Sequence, residues 1–121
     1  MKDFFNIKWL MVAVIFTATV VFLTHLPEEA MPSRLQVSGP DKLAHALAYG
    51  EITILFILSV RTSLILLSSS LLFFVILGIG AIDELTQPLV HRTASLTDWL
   101  ANVMGIVIVL LCLVWFKNSK R

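Results

Sequence analysis

Hydrophobic and polar residues are separated along this chain into four long apolar blocks joined by more polar stretches. Each block is close to the roughly 20 residues that an α-helix needs to cross the hydrocarbon of a bilayer. Pro88 is expected to stop the third helix near Gln87, because proline cannot donate the next backbone hydrogen bond. The blocks predict four helices, over residues 9–26, 43–60, 64–87 and 96–116.

The connections between the blocks predict a single compact domain over residues 1–121. Only residues 61–63 separate the second block from the third. Short connections of this kind favour antiparallel neighbours in a helical bundle. The predicted fold class is therefore all-α, a polytopic membrane protein with a four-helix transmembrane bundle.

Composition supports the membrane prediction and argues against other classes. The chain is 58% hydrophobic and 14% charged, whereas soluble domains are about 45–50% apolar and about 25% charged. The net charge is +1 and basic residues are not interleaved with aromatics, so no nucleic-acid partner is expected. The single cysteine, Cys112, cannot form an intrachain disulfide.

Lysine and arginine are distributed unequally between the two ends of the predicted bundle. Six of them share an end with both chain termini and the 61–63 turn, and three lie at the other end. Positive residues favour the cytoplasmic side of a membrane, which predicts that both termini are cytoplasmic. A cleaved signal peptide is the alternative for the first block, but its apolar region exceeds the usual 7–15 residues.

Polar side chains at helical spacing converge on the outer end of the bundle. At about 100° per residue, each of the last three helices presents one narrow polar stripe. Lipid cannot satisfy such stripes, so they are expected to face the bundle interior or a wet cavity. The stripes are Asp41, His45 and Tyr49; Gly80, Asp83 and Gln87; and Asp98, Asn102 and Gly105. The sequence predicts one outer pocket enclosed by Asp41, His45, Asp83, Glu84, Gln87, Arg92, Asp98 and Asn102.

Structural roles are the alternative for several of these residues. Asp41 follows Pro40 and could cap a helix. The segment 95–98 (SLTD) reads as a capping box before an apolar run. Asn102 and Gly105 could serve helix packing, and the histidines at positions 25 and 91 are expected at the membrane interface.

Asp83 and Glu84 are harder to explain in structural terms. They lie in the last turn of a predicted helix, where the helix dipole already disfavours acids. Two adjacent carboxylates there need a cation, a proton or a metal, and we expect Arg92 to fold back and pair with at least one of them. Glu51, deep in the second helix, likewise calls for a buried partner or a proton.

Two segments carry a resemblance to a known family. DKLAHALAYG (41–50) and DELTQPLVHRTASLTDWLANVMG (83–105) resemble the VanZ-like family of small bacterial membrane proteins, whose pattern is D-K-x-x-H-x-x-x-Y, D-E-x-x-Q, an arginine, D-x-x-x-N and x-x-G. The resemblance spans about residues 41–110 and departs at His91, where family members often have glycine. The positions that match are Asp41, Lys42, His45, Tyr49, Asp83, Glu84, Gln87, Arg92, Asp98, Asn102 and Gly105.

The resemblance implies a location in the bacterial cytoplasmic membrane and a link to teicoplanin resistance, but no settled reaction. From the residues, the first hypothesis is a cell-envelope protein that binds an anionic lipid headgroup or lipid-linked precursor. Arg92 and Lys42 would hold the anion. The ligand-binding set is Lys42, Tyr49, Glu84, Gln87, Arg92, Asp98 and Asn102.

Two further hypotheses stay open from the sequence. One is an enzyme acting on an envelope lipid, with His45 as acid or base and Asp41 or Asp83 orienting it. The other is a small proton-coupled transporter that works as a homo-oligomer. No cofactor is predicted, and any metal held by these oxygen-rich ligands would be a hard cation.

Overall fold

The computed structural model describes residues 5–33, 38–60 and 65–121, with side chains described outside 38–40 and 65–69. The chain forms four long helices. They are α1 (Ile7–Thr24), α2 (Ser38–Ser59), α3 (Ile65–Thr86) and α4 (Leu96–Ser119). Short 3-10 segments follow α1 and α3, at Glu28–Ala30 and Gln87–Val90.

The helix boundaries lie close to the predicted ones, with one clear difference. α2 begins at Ser38, five residues before the predicted start at residue 43. Pro40 is compatible with this earlier start because the first turn of a helix has no intrahelical acceptor for its N–H groups. The α-helical part of α3 ends at Thr86 and the chain continues as the 3-10 helix containing Pro88, as the proline predicted.

All four helices are long and apolar enough to cross a membrane. The qualifying segments are Ile7–Thr24, Asp41–Ser59, Ser70–Val90 and Leu96–Ser119. The described residues contain no strand, only an isolated bridge between Phe5 and Val60. The all-α fold and its four candidate membrane spans are thus confirmed.

α2 is the central helix of the bundle. It packs against α1, α3 and α4, most extensively against α4. The α2–α4 contact is close because small residues face each other: a Cβ built on Gly50 would lie 3.5 Å from the carbonyl oxygen of Gly105. Small residues at helix interfaces let membrane helices approach closely. The α2–α4 pair therefore forms the most extensive helix–helix contact of the bundle.

Contacts at the helix termini define the two ends of the bundle. Asn6 donates its backbone N–H to the Ser59 carbonyl at 2.7 Å, which joins the start of α1 to the end of α2 at one end. At the other end, Thr24 of α1 bonds to Asp83 of α3. We call the latter the polar end. Between the two ends lies an apolar core formed by Val20, Tyr49, Ile52, Ile76 and Ile106.

Candidate ligand-binding site

The polar end gathers the side chains that the sequence singled out. All three predicted polar stripes point into the protein. Asp41, Lys42 and Arg92 are partly exposed. The buried members are His45, Tyr49, Asp83, Glu84, Gln87, Asp98 and Asn102.

Asp83 is held by neighbours from two other helices. Its carboxylate accepts a hydrogen bond from the Thr24 hydroxyl at 2.5 Å and another from the Tyr49 hydroxyl at 3.0 Å. The His25 Nδ1 lies 3.3 Å from the same carboxylate. These groups satisfy the carboxylate, so Asp83 links α3 to α2 and to the end of α1. Neither a hydrogen bond nor an ion pair joins it to His45.

Glu84 connects α3 to the start of α4. It accepts from the Gln87 side-chain amide at 3.1 Å and from the Ser95 backbone N–H at 2.5 Å. Ser95 is the N-cap of α4, so the carboxylate lies at a helix N-terminus, where the helix dipole favours a negative charge. This answers why an acid is tolerated at the end of α3: it serves the beginning of the next helix.

The predicted capping box is formed in part by a residue from another helix. The Ser95 hydroxyl accepts from the backbone N–H of Asp98 at 3.3 Å, as expected. In a capping box the side chain of the fourth residue accepts a hydrogen bond from the N-cap backbone N–H. Here Glu84 of α3 accepts that hydrogen bond. The Asp98 side chain is thereby released, and Lys42 Nζ of α2 lies 3.2 Å from its Oδ1.

His45 is oriented by the amide of Asn102. The His45 Nδ1 lies 2.9 Å from the Asn102 Oδ1, and the His45 Nε2 lies 3.9 Å from the Asp41 Oδ1. With Nδ1 donating to the amide oxygen, a neutral imidazole presents its Nε2 lone pair toward Asp41. The ring is therefore fixed with one nitrogen available for a proton or a ligand.

Arg92 does not make the predicted ion pair. Its Nη1 donates to the backbone carbonyl of Thr24 at the end of α1, and neither Asp83 nor Glu84 is within ion-pair distance of it. The prediction was wrong because neutral donors and a backbone N–H already satisfy both carboxylates. The arginine side chain is thus directed to the end of α1 and not to the end of α3.

The segment before Arg92 has a conformation that glycine favours. His91 has φ 62° and ψ 29°, in the left-handed region. The Arg92 N–H bonds to the Gln87 carbonyl at 3.2 Å and the His91 N–H to the Pro88 carbonyl at 3.3 Å, which is the Schellman pattern that ends helices with a left-handed residue. His91 therefore forms this left-handed turn without glycine.

A cavity of about 150 Å³ opens beside these residues. Three predicted site residues line it, Asp41, His45 and Arg92, together with Thr24. The apolar part of its wall is Val20, Leu23, Met31, Ala44 and Ala48. The other five residues of the predicted pocket, which are Asp83, Glu84, Gln87, Asp98 and Asn102, are not in the wall of this cavity. Hydrogen bonds and an ion pair within the protein engage them instead.

Two residues at the end of α1, Thr24 and its C-cap His25, belong to the site and were missed as site residues. Thr24 contacts Asp83 through its hydroxyl and Arg92 through its carbonyl. His25 Nε2 lies 2.8 Å from the Thr86 hydroxyl of α3. The four-helix topology was the available signal, because it places the end of α1 at the same end of the bundle as the end of α3.

Asp41, His45 and Asp98 are also close enough together to consider as metal ligands. One ligand atom from each lies within 4.8 Å of the others. Lys42 already supplies a cation to Asp98, so one of the two carboxylates in the group is paired within the protein. A hard cation bound there would have to compete with that lysine.

Comparisons with protein-family models, with curated proteins and with solved structures found no match for this chain.

Proposed function

We propose that this protein is a VanZ-like membrane protein of the bacterial cell envelope that binds an anionic lipid headgroup in the cavity at its polar end. The eleven residues of the family pattern support the kinship. The charge asymmetry of the loops supports an outward-facing polar end with both termini in the cytoplasm. The link to teicoplanin resistance is part of the same proposal and rests on the resemblance alone.

The observation that carries the binding proposal is that Arg92 lines the cavity without forming an ion pair with a described carboxylate. Arg92 is in the cavity wall, and its guanidinium is anchored through one nitrogen to the Thr24 carbonyl. No carboxylate among the described residues forms an ion pair with it. A guanidinium has five N–H donors, so most of them stay available to a phosphate, which arginine engages through two parallel hydrogen bonds.

The rest of the wall favours a particular kind of phosphate. Asp41 would repel a second negative charge but accepts hydrogen bonds from hydroxyl groups, and the His45 Nε2 lies 3.9 Å from it. Apolar residues of α1 and α2, together with Met31 from the connection between them, complete the wall. The preferred ligand is therefore a phosphodiester lipid whose headgroup carries hydroxyl groups, such as a glycerol or a sugar.

Cavity size limits how much of the lipid is enclosed. Sites for drug-sized ligands measure about 300–1,000 Å³, and this cavity is about 150 Å³. It has room for a phosphate with a short polyol and not for a whole lipid-linked oligosaccharide. The acyl chains would stay in the bilayer against α1 and α2.

A lipid inventory of the purified protein tests the proposal. Mass spectrometry of co-purified lipids should show phosphatidylglycerol or another hydroxyl-bearing anionic lipid enriched over its membrane abundance. The enrichment should disappear in Arg92→Gln and persist in Lys120→Gln, which removes an exposed positive charge at the opposite end of the bundle. Equal enrichment in Arg92→Gln and the wild type would refute the proposal.

A second candidate function rests on the orientation of His45. Asn102 fixes one ring nitrogen and the other lies on the side of Asp41, in the wall of the cavity. This arrangement suits a general acid or base acting on a bound headgroup. Asp41, and not Asp83, is then the carboxylate beside the histidine. Turnover of a bound lipid that is lost in His45→Ala, with binding retained, would favour the enzyme over the binding protein.

A further inference from the structure

Glu51 is exposed on the surface of α2, midway along the helix. It is ten residues after Asp41 and eight before Ser59 in that candidate span, about 15 Å and 12 Å from the two ends at 1.5 Å per residue. The expected buried partner is absent: no described side chain hydrogen-bonds or ion-pairs with Glu51. An ionisable group at this depth in lipid is costly and normally faces protein or water, so something outside this chain should cover it.

The surface around Glu51 has the pattern of a helix–helix seam. Leu47, Ile54 and Leu58 are exposed, and with Glu51 they are spaced by four, three and four residues. This is the heptad spacing with which two helices interlock, and a single polar residue in such a seam fixes register and partner number. The exposed face of α2 is therefore organised for a second helix and not only for lipid.

We propose that two copies of this chain associate through this face of α2, with their Glu51 side chains meeting at the two-fold axis. Two copies inserted in the same orientation hold residue 51 at the same depth. In an isologous contact, a residue on the axis faces its own counterpart. Each helix would thus place a carboxyl group against the other at the middle of the membrane.

The charges of the chain favour a second copy over a pairing with a basic residue. Where the structure describes the basic side chains, they lie at helix ends or beyond them, far from the depth of Glu51; these are Lys8, Lys42, Arg92, Lys117, Lys120 and Arg121. Among its described residues, a second copy therefore offers no cation at that depth but does offer another carboxyl. A protonated carboxyl both donates and accepts, so two such groups complement each other, and hydrogen bonds between membrane helices strengthen association.

Cysteine cross-linking in native membranes tests the contact. The native Cys112 is exposed and is first replaced by alanine. In that background, Leu47→Cys and Ile54→Cys flank Glu51 on the proposed seam and should each give a covalent dimer of this chain. Ile15→Cys on α1 and Ile108→Cys on α4 are exposed at similar depth on other faces and should stay at background. A product of a different mass at positions 47 and 54, or equal cross-linking at all four positions, would overturn the proposal.

The role of Glu51 is tested by association in lipid bilayers, measured by energy transfer between labelled copies. Glu51→Leu keeps an apolar seam but removes the polar pair, and should weaken association roughly tenfold. Glu51→Gln keeps a donor and an acceptor and should stay within about threefold of the wild type. Unchanged association in Glu51→Leu, with helical content equal to that of the wild type, would contradict the proposed pair. This inference does not depend on the lipid that the cavity binds.

Discussion

Gly105 of α4 lies directly against the backbone of Ala46 in α2, so that a Cβ at position 105 would be 2.0 Å from the Ala46 carbonyl oxygen. Two site residues flank this contact. His45 is adjacent to Ala46, and Asn102 lies one turn before Gly105. Their 2.9 Å contact depends on the helices being this close. Gly105 therefore positions the His45–Asn102 pair without bonding to either residue.

Gly105→Ala should be strongly destabilising. The added methyl meets backbone and not a movable side chain, so α2 and α4 must separate, at a cost of about 3 kcal/mol from overpacking. Gly78→Ala is the matched control, because a Cβ there meets nothing within 4 Å. Replacing that helical glycine should be neutral or stabilise by about 0.5–1 kcal/mol. Denaturant unfolding in detergent micelles measures both, and equal stabilities for the two variants would contradict the close contact.

Thr24→Val should loosen α1 from α3. The substitution keeps the shape of the side chain but removes the hydroxyl that Asp83 accepts from. Leaving a buried carboxylate short of a donor costs about 1–3 kcal/mol. Thr19→Val on the same helix is the control, since its exposed hydroxyl bonds only to the Ile15 carbonyl one turn earlier. Thermal unfolding should separate the two variants, and a loss at position 19 as large as at position 24 would argue against the inter-helix bond.

Glu84→Ala should weaken the start of α4. It removes the acceptor of the Ser95 N–H and of the Gln87 amide, at a cost of about 1–3 kcal/mol for the stranded donors. Glu84→Gln keeps an acceptor oxygen and should lose less. Hydrogen exchange at the first turn of α4 is the direct measurement. Protection there that is unchanged in Glu84→Ala would show that Glu84 does not cap the helix.

Position 91 should tolerate glycine better than any branched residue. His91 has φ 62°, where a β-branched side chain is strained and glycine is not. His91→Val should therefore cost about 1–3 kcal/mol, and His91→Gly should be close to neutral. The measurement is the free energy of unfolding of the two variants. Equal values for His91→Val and His91→Gly would mean that residue 91 is not left-handed in the folded protein.

The sequence predicted the fold well because long apolar helices leave a simple pattern. Block length set the number of helices, and Pro88 marked the end of α3. Helical spacing also identified which polar residues turn inward, since Asp83, Gln87 and Asn102 are almost completely buried. These properties depend on one helix at a time, which is why a single sequence reveals them.

Pairings between helices were less predictable. Arg92 was expected at Asp83 or Glu84 by charge alone, but the hydroxyls of Thr24 and Tyr49 had already satisfied Asp83. A neutral donor cannot be matched to a carboxylate by charge, and whether its side chain contacts that carboxylate depends on how the helices pack. For Glu51 the sequence left a buried partner and a proton as alternatives, because periodicity does not say which face of a central helix stays uncovered.

The central claim, an anion site at Arg92, is tested most directly by titrating the protein in phosphatidylcholine nanodiscs with short-chain phosphatidylglycerol. Hydrogen bonds to charged groups contribute about 1.5–3 kcal/mol each, so Arg92→Gln should raise the Kd roughly 10- to 100-fold. Arg92→Lys keeps the charge but loses the bidentate geometry and should fall in between. Lys120→Gln should bind like the wild type. A titration with free glycerol phosphate shows whether the headgroup alone is sufficient for binding. A Kd for Arg92→Gln equal to that of the wild type, in a variant that unfolds at the same temperature, would contradict the account.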